Sequence, residues 1–92
     1  MTSALPPSLP APVALELQRV AERWRQLPLG HALVRLPVVR ALVEDLAGEP
    51  VPDLGPAVVI DQLRVVAYDA VRAGMPQGEL ADRLATLRRA LT

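Results

Sequence analysis

A chain of 92 residues, 51% of them hydrophobic, fits a single domain with a thin core, because so small a body buries little of its surface. Zero formal net charge removes the basic surplus on which counterion-driven nucleic-acid binding depends. The absence of cysteine excludes disulfides and thiolate metal sites.

The basic residues are all arginine, with no lysine anywhere, so a Schiff-base or phosphate-loop lysine is excluded. An alphabet dominated by Ala, Leu, Val, Pro and Arg, and lacking Lys, Asn and Phe, matches the codon bias of a high-GC bacterium. The first residues lack the charged and apolar regions of a signal peptide, and charges or prolines interrupt every apolar run. A cytoplasmic protein is expected, without membrane segment, metal or cofactor.

Residues 1–12 carry Pro6, Pro7, Pro10 and Pro12 and read as a disordered proline-rich leader, followed by one helical domain over 13–92. Helix one is predicted from about Val13 to Leu27, with Pro12 in its first turn. Val13, Leu17, Val20, Trp24 and Leu27 form one seam at heptad-like spacing. Pro28 ends it.

The second element, Leu29 to Ala47, is interrupted in sequence by Pro37, which has no amide to donate to Leu33. The reading is a short turn near Gly30–Arg35, a kink or break, and a firm helix from Pro37. Its apolar face is Val39, Leu42, Val43 and Leu46, and Gly48 is its left-handed cap. Residues 48–56, GEPVPDLGP, are predicted to be a rigid loop, with Val51 and Leu54 tucked into the core. Asp53 and Gly55 are both candidates to cap the next helix.

That helix, Pro56 to Ala73, is the expected centre of the fold. Val59, Ile60, Leu63, Val66, Ala67 and Ala70 make a broad stripe, and Val58, Val65, Tyr68 and Val71 lie at or beyond its margins. After the Gly74–Pro76 turn, helix four runs from about Gln77 to Leu91 with a seam of Leu80, Leu84, Leu87 and Leu91. Glu79 and Asp82 at its start, and Arg88 and Arg89 at its end, match the helix dipole. The fold class is therefore all-α: a small bundle of four helices, or five if the chain breaks at Pro37.

Catalytic chemistry has little to work with. His31 is the lone histidine, and the hydroxyls are confined to Thr2, Ser3, Ser8, Thr86 and Thr92, apart from Tyr68. Each carboxylate has an arginine at helical spacing or a cap-like position, so solvated helix faces account for them. No catalytic residue is assigned, and an enzyme is not expected.

The apolar surface, by contrast, exceeds what one small bundle needs, since Leu15, Val34, Val38 and Val65 all fall off the seams. The expected function is a protein–protein interaction module, either a homodimer or a small adaptor. Val58, Val65, Tyr68 and Val71 are its candidate interface. The alternative is a small nucleic-acid-binding regulator using arginine patches, Arg19, Arg23 and Arg25 beside Trp24, or Arg83, Arg88 and Arg89. Interspersed carboxylates count against it.

Overall fold

The computed structural model describes residues 9–92, which form four α-helices and no strand. The expected leader falls mostly on residues 1–8, outside that range. The helices are α1 (Ala11–Gln26), α2 (Leu29–Ala47), α3 (Val59–Arg72) and α4 (Gln77–Ala90). Three of them are entered from a proline at the N-cap, namely Pro10, Pro28 and Pro76. A fixed φ and a missing amide suit the junction, where no intrahelical acceptor exists for that amide.

Pro37 does not divide α2, which runs unbroken from Leu29 to Ala47. Both Pro37 and Leu33 are exposed, so water can serve the Leu33 carbonyl that the proline ring leaves without a donor. A proline on the wet side of a helix costs less than one facing the core. α2 closes as expected on Gly48, which adopts φ 73° and donates its amide to the Glu44 carbonyl at 2.9 Å.

The loop after α2 is a crossover. Gly48 leaves the end of α2, Val51 lies beside Glu44, Asp53 lies near Arg40, and Pro56 reaches Trp24 at the end of α1. The chain thus travels back along α2 before α3 begins. Leu29 and Ala32 consequently share a cleft with Pro56 and Ile60, while Leu46 and Ala47 border Val66, Asp69 and Ala70. α2 and α3 therefore run parallel. Extended backbone gains about 3.3 Å per residue against about 1.5 Å in a helix, so a short loop can return along a longer helix. Pro50, Pro52 and Pro56 keep that return extended.

Arg40 and Glu44 fasten it. Arg40 Nη2 donates to the Val51 carbonyl at 2.8 Å, and the Val51 amide donates to Glu44 Oε2 at 2.9 Å. One i,i+4 pair on α2 thus holds both polar groups of one loop residue. Val51 is half-buried against the core as expected, but Leu54 points to solvent at 58% exposure. Neither Asp53 nor Gly55 caps α3 with a side chain. The Asp53 carboxylate accepts from the Gly55 amide at 3.0 Å, Pro56 to Val58 form a turn, and α3 starts at Val59 rather than Pro56.

α3 ends in a Schellman motif. Met75 N–H bonds to the Ala70 carbonyl and Gly74 N–H to the Val71 carbonyl, both at 3.0 Å, with Gly74 at φ 101°. The chain then reverses into α4. Arg83 in the first half of α4 pairs with Asp45 at the end of α2, and Leu91 shares a hollow with His31 and Val34 near the start of α2. α4 is therefore antiparallel to α2, and it also packs along α1, where Arg88 meets Glu16 at 3.1 Å.

The core is wholly apolar, with no buried polar or charged residue among those described. The expected stripe of α3 is buried in full: Val59, Ile60, Leu63, Val66, Ala67 and Ala70. So is the leucine seam of helix four, and Val13, Leu17, Val20 and Trp24 of helix one. α2 faces inward through Ala32, Leu36, Val39 and Val43, with Leu42 and Leu46 half-buried. Each large aliphatic side chain buried contributes about 1.5–3 kcal/mol, which is how so small a domain holds together.

Candidate functional site

The outward side of α2 carries the main concentration of exposed aliphatic side chains. Leu29 is 68% exposed, Leu33 51% and Val34 69%, with Pro37, Val38 and Ala41 continuing the same side. At about 3.6 residues per turn they span the outer half of the helix, with Leu29 and Leu33 toward the α3 edge and Val34 and Val38 toward the α4 edge. α2 is thus apolar nearly all round, a pattern proper to a helix enclosed on every side. Its inner half is enclosed by α3 and α4, and its outer half faces water.

The two ends of this face differ in shape. Toward the N-terminal end Val34 projects as a ridge in line with Val38, whereas Leu29 and Leu33 lie about 140–180° round the helix from Val38. Toward the C-terminal end α4 rises beside α2, and between them lies an open groove of about 940 Å³. Val38, Ala41 and Leu42 form one wall of that groove, with Leu87 and Ala90 opposite. Its rim carries Asp45, Glu79 and Asp82 around a single guanidinium, that of Arg83. Arg83 pairs with Asp45 and, at 3.7 Å, with Glu79.

The interface candidates on α3 are distributed differently. Val65 is 60% exposed; Val58 and Tyr68 are half-buried, and Val71 is half-buried and packed against the core. Val58 and Val65 lie seven positions apart on one line, whereas helical rotation places Val71 on the opposite shoulder of the buried stripe. Charged neighbours surround Val65: Arg64 pairs with Asp61 at 3.3 Å, and the Arg72 guanidinium lies 5.9 Å from the centre of the Tyr68 ring.

The six candidate arginines fall into four places. Arg19, Arg23 and Arg88 line one shallow groove between α1 and α4, together with Glu22. Glu16 takes two of these guanidinium groups, Arg19 at 3.0 Å and Arg88 at 3.1 Å. Arg25 sits apart, in the cleft with Asp61 and Arg64, and Arg83 is committed to Asp45. Arg89 is exposed and donates to Thr86 at 3.3 Å. Trp24 is a core side chain, and its indole N–H donates to the Pro56 carbonyl at 2.9 Å.

His31 is exposed at the start of α2, beside Val34 and Arg35. Among the described residues no three His, Asp or Glu side chains converge as a metal site would require, and no helix is long and apolar enough to cross a membrane. No protein-family model, curated protein or solved structure matches this chain.

The α2 face was partly legible in sequence, since Val34 and Val38 stand out as off-seam residues. Leu29 and Leu33 do not, because a helix expected to break at Pro37 has no continuous outer face. The signal that could have found it is the absence of any carboxylate from Leu29 to Val43.

Proposed function

We propose that this chain is a non-enzymatic protein-interaction module of the cytoplasm that docks through the aliphatic outer face of α2. One observation carries the reading: Leu29, Leu33, Val34 and Val38 stand exposed on one side of one helix. Contiguous exposed apolar surface normally marks a partner site. The mechanism is burial of that surface, with the charged rim at Asp45, Glu79 and Asp82 setting orientation and register. The more scattered set Val58, Val65, Tyr68 and Val71 is the competing face.

The test compares the natural chain with Val34→Asp and Val65→Asp, by sedimentation over a range of concentrations and by capture from a source lysate. Loss of association in Val34→Asp alone supports the α2 face; loss in Val65→Asp alone assigns the contact to α3.

A second reading rests on Arg19, Arg23 and Arg88 sharing one groove: binding of a nucleic-acid backbone. Glu16 and Glu22 at the same place weigh against it. Titration of a mixed duplex at low and moderate salt decides it, since phosphate binding must weaken steeply with salt.

A further inference from the structure

The ridge and the groove on α2 belong to the same helix, and each has what the other lacks. The ridge end is apolar and carries one cation, Arg35 beside Val34. The groove end is apolar and acidic, with Asp45 and Glu79 paired to Arg83 and Asp82 on the same rim. A surface complementary to itself in both shape and charge is what a two-fold interface requires, because each copy then offers both halves.

We propose that the occupant of the α2 face is a second copy of this chain, packed antiparallel with the two α2 helices crossing at Val38. Val34, Val38 and Leu42 form one i,i+4 row, the type of ridge that packs into the groove of a facing helix. A two-fold axis through Val38 brings Val34 of each copy toward Leu42 of the other. The same axis lays the Arg35 end of each α2 over the acidic rim of the other. Ala41, exposed beside Val38, leaves room for close approach. This rests on the interaction-module reading above and adds the identity and orientation of the partner.

Because the chain has no cysteine, single-cysteine variants report their neighbours without ambiguity. Val38→Cys, Val34→Cys and Leu42→Cys are each treated with a short thiol-to-thiol linker, alone and mixed in pairs. Val38→Cys is expected to link to itself, and Val34→Cys to link to Leu42→Cys in preference to itself. Arg35→Glu, which faces like charge across the contact, is expected to weaken the dimer by roughly tenfold. Preferential linking of Val34→Cys to itself means parallel chains and overturns the proposal. If no variant links and the natural chain stays monomeric, the second copy is also overturned. In that case, capture of another protein by the natural chain and not by Val34→Asp leaves the module reading standing, while equal behaviour of the two removes both.

Discussion

Trp24 donates its indole N–H to the carbonyl of Pro56 at 2.9 Å, tying the end of α1 to the last stretch of the crossover before α3. The same indole is buried in the core, so one side chain supplies both packing and a fixed point for the returning chain. Trp24→Phe keeps most of the packing and leaves that carbonyl without its donor. A loss of about 0.5–1.5 kcal/mol is expected, read as a lower denaturation midpoint by circular dichroism.

The grip of Arg40 and Glu44 on Val51 makes a local prediction. Glu44→Ala removes the acceptor of the Val51 amide and leaves the Val51 carbonyl bonded to Arg40. Hydrogen exchange at Val51 is expected to accelerate markedly, with amides in the centre of α3 far less affected. Global stability should fall by only about 1 kcal/mol, because the clamp is partly open to water.

Two glycines should respond in opposite directions to alanine. Gly48 caps α2 at φ 73°, where a Cβ is strained whatever the space around it. Gly48→Ala is expected to cost about 1–2 kcal/mol. Gly78 lies in the first turn of α4 with helical backbone, and a Cβ there meets nothing within 4 Å. Gly78→Ala is expected to stabilise by about 0.4–1 kcal/mol through the unfolded chain. Thermal or urea unfolding of the two variants checks the signs.

Much of this fold is legible in residue spacing. The buried stripe of α3 and the seam Leu80, Leu84, Leu87 and Leu91 follow from helical periodicity because each touches one core and nothing else. What spacing does not carry is direction. The parallel course of α2 and α3 depends on long-range bonds from Trp24, Arg40 and Glu44 to the loop, and Arg40 and Glu44 look in sequence like an ordinary surface pair. The outer face of α2 was obscured by Pro37, whose penalty is small where both it and Leu33 face water. Leu54 shows the opposite failure: apolar character alone does not bury a loop residue.

Val65 and Val71 separate surface from core on α3. Val65→Asp replaces an exposed side chain and is expected to change stability by no more than about 0.5 kcal/mol. Val71→Asp puts a charge against the packed interior and should destabilise by more than about 1 kcal/mol. Urea denaturation of both variants measures the contrast. Loss of association in Val71→Asp therefore counts as evidence about α3 only when the variant is shown to be folded.

Sedimentation equilibrium of the natural chain beside Val34→Asp tests the α2 face most directly. The natural chain is expected to show a reversible monomer–dimer equilibrium. Val34→Asp should keep its helical circular dichroism, with dimerisation weakened on the order of 100-fold by a charge placed in the contact. A natural chain that remains monomeric at every concentration, or a folded Val34→Asp that dimerises as tightly, contradicts the assignment of this face to a second copy.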